Sequence, residues 1–262
     1  MGGYYNELIR DMTWSYSRLT SFDDCPYGWF LRYIRMSPKG EQKFFSSFGS
    51  FIHELLEQYL KGEKSREQIV TDYLVGFSER AAGEIPDEAM RLRYFENGLQ
   101  YLKELEPFPF EIVAAEQKVR FKLGDSKFVG VIDVLGKDGD GMLILDHKSR
   151  RLKPRSRRKE PTETDRELDS YLRQLYLYSC WLEQSGQELP KKLMFNCFRD
   201  RRLITEKFDP AVFERTKQWA QETAERIAAE EAFPPHPDYF RCTYLCDARD
   251  ECEYYETNFG KR

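Results

Sequence analysis

The chain has 262 residues, 33% of them charged and 40% hydrophobic, with a formal net charge of −4. That is enough apolar sequence for one large domain or two small ones. The mean hydropathy of −0.70 and the lack of any apolar run near the roughly 20 residues of a membrane helix exclude a spanning segment. The N-terminal residues lack the basic-then-apolar layout of a secretory signal and point to an intracellular protein. The net charge does not announce a nucleic-acid binder, but local patches decide that more than the sum does.

In chain order, Ser17 is placed to cap a short helix. Cys25 and Pro26 interrupt it, and residues 27–34 resume a helical pattern. After a loop at 37–40, residues 48–60 carry Ile52, Leu55, Leu56, Tyr59 and Leu60 at helical spacing. Residues 65–104 read as two helices broken near 83–86, and Pro107 and Pro109 end this helical part. Strands follow at 110–122, 127–135 and 142–147, a three-stranded meander whose second turn is Lys137-Asp-Gly-Asp-Gly141. A loop holding Pro154 and Pro161 leads to a helix at 163–184 with Leu168, Leu172, Leu175 and Leu182 on one stripe and Gly186 just beyond. Strands at 191–198 and 203–208, an amphipathic helix at 210–230 and an irregular tail complete the chain. This order predicts an α+β (α/β) protein with a mixed central sheet flanked by helices. Residues 1–262 read as a single domain: a helical part at about 15–106, a core at 107–208, and a C-terminal helix and tail at 209–262.

Two apolar strands each carry an acid where a plain core strand would place another apolar residue. They are Asp133 in the run starting at Gly130, and Asp146 in the run ending at Lys148. Side chains alternate along a strand, so Asp146 and Lys148 share a face. Carboxylates in that setting cost desolvation free energy unless something pairs them, and a divalent cation would do so. Mg²⁺ or Mn²⁺ takes carboxylate oxygens and can activate a water against a phosphoryl group, with the lysine orienting that water or stabilising charge. From Lys148 to Lys159 there are eight Lys or Arg residues and no acid, either a solvated loop or a patch serving that site. Gln174 and Tyr178 share one helix face. His53, beside an apolar stripe, reads on its own as a packed core histidine.

Gly130-x-x-Asp133, Asp146-x-Lys148 and Gln174-x-x-x-Tyr178 in this order resemble the RecB/AddB-like branch of the PD-(D/E)XK nuclease superfamily. Gly49 before His53 on an N-terminal helix, and Glu116 on the strand before Gly130, fit the same pattern. The resemblance spans residues 15–252 and implies a restriction-endonuclease-like core. It implies that His53, Asp133, Asp146 and the backbone carbonyl of His147 bind the metal and that Lys148 is the catalytic lysine. Gln174 and Tyr178 would position DNA and that lysine, and Glu116 would be a supporting or second-metal acid. Arg150, Arg151, Lys153, Arg155, Arg157, Arg158 and Lys159 would bind DNA. It further implies a cytoplasmic protein of bacterial, archaeal or phage origin, working with recombination, repair or CRISPR-adaptation proteins and not with a membrane.

Six cysteines are present. Cys180 and Cys197 sit in apolar runs and read as core residues. The tight cluster Cys242, Cys246 and Cys252 reads as metal-binding rather than disulfide-bonded. Some RecB-type nucleases, including AddB-like proteins and CRISPR-adaptation exonucleases, hold a [4Fe–4S] cluster with one N-terminal and three C-terminal cysteines. By that resemblance Cys25 is the fourth ligand. The three residues between Cys242 and Cys246, where the family more often has two, leave Zn²⁺, with His236 as a further candidate ligand, as the alternative. The expected activity is a metal-dependent DNA nuclease, an exonuclease on single strands or duplex ends. The competing expectation is a non-catalytic DNA-binding or scaffold protein that keeps the fold.

Overall fold

In the computed structural model, which describes residues 5–260, a five-residue helix α1 (Asn6–Arg10) and a two-residue strand β1 (Thr13–Trp14) come first. Neither is legible in the sequence, since elements this short have no periodicity to read. The next helix, α2 (Tyr16–Asp24), is capped by Ser15 rather than Ser17: Ser15 is extended and its hydroxyl accepts the Arg18 amide at 3.2 Å. Cys25 then separates α2 from α3 (Pro26–Tyr33). Its sulfur accepts the Gly28 amide, and Pro26 occupies the first turn, where a missing N–H costs nothing.

Helices α4 (Phe44–Leu60), α5 (Arg66–Arg80) and α6 (Glu88–Lys103) form a lobe with its own core, including Phe48, Phe51, Ile52, Leu56 and Tyr73. The sequence pattern starts α4 at residue 48. Burial of Phe44 together with Phe48 in that core extends it one turn, as tertiary packing commonly does.

The sheet strands are β2 (Glu111–Leu123), β3 (Ser126–Asp138) and β4 (Gly141–Lys148), then α7 (Glu163–Gln184), β5 (Lys192–Cys197) and β6 (Arg202–Lys207). Helix α7 has the expected bounds because Thr162 and Asp165 form a reciprocal capping box at its start. Strands β2 and β3 pair antiparallel along nearly their whole length. Strand β1 pairs parallel to β3 at Thr13↔Lys127 and Trp14↔Phe128, and β4 pairs antiparallel to β3 from Asp138↔Gly141 to Val134↔Leu145. A strand has two edges and β2 fills one, so β1 and β4 share the other. Residues 129–133 lie between them without a strand partner on that side. Strand β5 is parallel to β4 and antiparallel to β6, giving the expected mixed sheet flanked by helices.

Both sheet faces are covered. Ile144 packs in the main core with α7 and with α8 (Pro210–Ala229), whereas Leu143 and Leu145 point oppositely into a small cluster with Val134 and Met194. By the same alternation Asp146 and Lys148 face α7, and His147 faces away. The tail is less irregular than its sequence suggests: Asp238 caps α9 (Tyr239–Tyr244) by accepting the Arg241 amide, and α10 (Glu253–Phe259) follows Cys252. It ties the N-terminal helices to the lobe, with Arg32 paired to Asp247, the Tyr27 hydroxyl donating to Glu253 and Phe240 against Phe45. Among the described residues no helix is long and apolar enough to cross a membrane.

Candidate active site

The site begins where the β3–β4 ladder stops. One step past the pair Val134↔Leu145 the residues are Asp133 and Asp146. On the other edge, Ala115↔Val134 and Gln117↔Ile132 bracket Glu116 opposite Asp133. Three acids from three strands, Glu116, Asp133 and Asp146, thus fall in one row. The ladder is interrupted there on both sides. Asp133 Oδ2 accepts the His147 amide at 2.7 Å, so a side chain takes the place of a strand carbonyl and the strands fork. Glu116 adopts φ +53°, a left-handed conformation costing a non-glycine residue on the order of 1–2 kcal/mol.

Asp146 is 2% exposed and its Oδ2 lies 2.8 Å from Lys148 Nζ, though no aligned hydrogen bond satisfies that oxygen. Lys148 Nζ also donates to Gln174 Oε1 at 2.9 Å, and Gln174 Nε2 donates to the Tyr178 hydroxyl at 3.1 Å. The rings of Tyr171 and Phe195 lie 5.4 Å and 5.9 Å from the ammonium. The spacing of Gln174 and Tyr178 on α7 therefore acts as a relay that fixes one amine. Gly130 makes the relay possible. A Cβ there would press into the Tyr178 ring, 2.9 Å from two of its carbons and closer to a third.

Helix α4 brings His53 to the opposite side, its Nε2 3.0 Å from the His147 carbonyl and its Nδ1 3.4 Å from Asp133 Oδ2. Burial lowers the His53 pKa, which favours the neutral, ligating imidazole. Burial, then the neighbouring Asp146, raises Asp133, and burial and Glu57 push Glu116 up to about 7. Donor atoms of His53, Glu116 and Asp133 lie within 4.8 Å of one another. Carboxylates that resist ionisation, an imidazole, a backbone carbonyl and an orphaned buried carboxylate oxygen make a donor set that fits a hard divalent cation. These groups line a cleft of about 840 Å³ that also exposes Ser149, Arg150 and Phe45.

The basic segment divides. Arg150 reaches the cleft, donating to the Tyr171 hydroxyl. Arg151 pairs with Asp200 at 2.9 Å. Arg155 pairs with Asp169 and Glu206 and lines a separate cavity of about 520 Å³ with Arg173 and Trp219. Lys153, Arg157, Arg158 and Lys159 are exposed. Buried Leu152 and the Asp165 carboxylate, which accepts from Ser156, pin the loop.

Cys25, Cys242, Cys246 and Cys252 are all free and half-buried. Cys25 Sγ accepts the Gly28 and His236 amides at 3.3 Å and 3.4 Å, so His236 meets this seam through its backbone. A Cβ on Gly28 would sit 3.7 Å from Cys25 Sγ and 4.0 Å from Cys246 Sγ, which places sulfurs from distant chain segments near one face of this glycine. Burial raises all three tail thiols, Cys246 to about 11, with Cys25 adding to Cys242 and Cys252. Cys180 and Cys197 are fully buried in the main core.

Sequence reasoning missed Tyr171, which covers the lysine. It also missed Asn196, which is 2.9 Å from His147 Nδ1 and donates to the Tyr101 hydroxyl at 2.6 Å. Tyr171 was findable, being three residues before Gln174 on one helix face. Asn196 was findable as the one polar residue in the apolar run Leu193–Phe198.

Residues 13–253 match the PD-(D/E)XK nuclease superfamily. The fold is similar to the crystal structure of a candidate exonuclease from Eubacterium rectale, with a TM-score of 0.54 and 14% identity over 98% of this chain and 96% of that one. No curated protein matches the sequence. The sheet, the forked strands bearing Asp133 and Asp146, and a family match over nearly the whole chain lead to one conclusion: this chain belongs to the PD-(D/E)XK nuclease superfamily.

Proposed function

We propose that this nuclease is a single-domain, cytoplasmic, RecB/AddB-like deoxyribonuclease that hydrolyses DNA as an exonuclease on single strands or duplex ends. The placement of Lys148, held between Asp146 and Gln174 beside the acid row, carries the reading. Lys148 lines the cleft together with the three acids, and Gln174, braced by the buried Tyr178, fixes the direction of its amine there. His53, Asp133, Asp146 and the His147 carbonyl, with Glu116 adjoining, would hold Mg²⁺ or Mn²⁺, which supplies Lewis-acid charge and an activated water when bound. Lys148 offers an N–H to a phosphate oxygen or to the attacking water. Gln174 and Tyr178 hold it there, and burial keeps competing water from its pair with Asp146. Arg150 faces the cleft as a contact for the strand, and the exposed residues Lys153, Arg157, Arg158 and Lys159 extend that contact.

We assign Cys25, Cys242, Cys246 and Cys252 to a [4Fe–4S] cluster, whose four thiolate ligands would join the first helices to the tail. Proteins of recombination, repair or CRISPR adaptation would be its partners.

The test is cleavage of linear and circular, single- and double-stranded DNA with Mg²⁺ and Mn²⁺. Linear substrates should be degraded from their ends, and Asp146→Ala and Lys148→Ala should lose activity by at least about 10³-fold while still folding cooperatively. Cleavage of circular single strands would overturn the exonuclease mode. A fully active Lys148→Ala would overturn the mechanism, and an inert wild type would leave the non-catalytic DNA-binding reading. Iron and sulfide in anaerobically purified protein test the cluster, and stoichiometric zinc would replace it.

A further inference from the structure

Between β5 and β6 the chain makes a single 3-10 turn at Phe198–Asp200, and Arg199 projects from it onto the ring of Tyr94. Its guanidinium carbon stands 3.6 Å from the ring centroid. One terminal nitrogen donates to the Ser149 carbonyl at 3.4 Å, and its Nε is buried with no partner. Arg93 and Arg151 are close enough to oppose its charge, and Arg150 and Arg151 act on the same Tyr94. Asp200 also attracts it but forms its ion pair with Arg151 at 2.9 Å, while Glu167 pairs with Arg150 at 3.9 Å and Asp87 with Arg93 at 3.9 Å. Among the described residues no carboxylate pairs with Arg199.

A partly desolvated guanidinium among like charges raises the free energy of the unbound protein. The aromatic platform holds it flat, and with Nε buried and one terminal nitrogen on the Ser149 carbonyl, the remaining terminal N–H groups are the donors left for an anion's oxygens. Its position restricts which anion. Ser149 follows Lys148 directly, and Ser149, Arg150 and Phe45 line the active-site cleft, with the Phe45 ring 5.5 Å from that of Tyr94.

We propose that Arg199, stacked on Tyr94 and flanked by Arg150 and Arg151, binds a phosphate of the DNA strand next to the one being cleaved. The inference rests on the nuclease reading above and adds a strand contact outside residues 150–159. The phosphate is a terminal monoester or a neighbouring diester, which share the same oxygens. Docked there, the strand would be held on the Lys148 side of the cleft, with the scissile bond next along.

The test measures binding of the full-length protein in excess EDTA, so that nothing is cleaved, to 3′-labelled single strands bearing a 5′-phosphate or a 5′-hydroxyl. Arg199→Gln should weaken binding about ten-fold or more, as expected for losing a charge-assisted contact. It should also reduce the slope of log K against log salt by about 0.7. Loss confined to the 5′-phosphorylated strand identifies the terminal monoester, and equal loss on both identifies an internal diester. Removing a charge with no carboxylate partner should leave the thermal midpoint equal or higher, a result that a purely structural arginine would not give. Arg151→Gln, whose side chain is 65% exposed, is the fold-neutral second variant and should weaken binding about three-fold. Affinity and salt slope within two-fold of wild type for both variants would overturn the proposal and leave the nuclease assignment standing. Undiminished cleavage by Asp146→Ala would sink the assignment without touching this binding result.

Discussion

Asp133 and Cys25 each sit where distant parts of the chain meet, and their surroundings differ. Asp133 is built into three paired strands, accepts a backbone amide and is braced from α4 by His53. Everything that positions it is protein. Cys25 lies between helices of nine and eight residues, facing a tail whose own helices have six and seven residues. Tyr239, Phe240, Leu245 and Tyr254 of that tail remain exposed. Helices that short are not stable on their own. The cleft is organised by protein groups alone, whereas under the proposed cluster assignment the cysteine seam would depend on what its sulfurs hold.

The largest expected effect tests the seam. Cys25→Ala should cost about 4 kcal/mol, the linkage expected for a ligand held far above its dissociation constant, and lower the thermal midpoint by about 10 °C. The tail should become the first site of limited proteolysis. An unchanged midpoint would mean that the seam is as self-sufficient as the cleft. Next, Gly130→Ala tests whether the cleft is rigid. The added methyl presses on the Tyr178 ring, so stability should fall by about 3 kcal/mol. The cleavage rate should fall with it, because Tyr178 positions Gln174 and Gln174 positions Lys148. A full-rate variant would show the relay to be dispensable.

The smallest effect concerns strain stored in the acid row. The Glu116 pKa rises from 4.5 to about 7 on folding, so folded Glu116 retains a proton that the unfolded chain releases. Relative to the unfolded chain, the cost is absent below pH 4.5, grows as pH rises and is complete above about 7. Metal-free Glu116→Gln should therefore be more stable than wild type at pH 8 by about 1–2 kcal/mol, reduced by partial exposure, and equal to it at pH 4.5. Chemical denaturation at the two values measures this. Saturating Mn²⁺ should reverse the order at pH 8, since it favours the ionised form.

What the sequence made legible follows from local physics. Apolar runs bounded by turn residues gave β2 to β6, and an apolar stripe with Gly186 just beyond its end gave α7. Acids standing in apolar strands marked Asp133 and Asp146 because burial makes a carboxylate conspicuous, and Glu116 was marked only through the family resemblance. The rest depends on register and docking. That the three acids share a row follows from pairings between strands, and β1 exists through its two contacts with β3. Arg199 looked like one basic residue of a polar turn until α6 supplied Tyr94 beneath it. Ser15 displaced Ser17 as the cap because β1 delivers an extended chain at that point, a tertiary cause invisible in a serine-rich run.

The shared edge of β3 has a kinetic consequence. The acid row lies within residues 111–148, a meander of mostly local contacts that can form quickly. Lys148 gains its second acceptor only when α7 docks, and His53 crosses from a lobe encoded some 90 residues earlier, a loop closure with its own entropic cost. The strand that completes the edge, β1, comes from the very start of the described chain and waits for β3. A partly synthesised or partly folded chain therefore carries the acids without a complete site, so nuclease competence comes only with the final docked fold.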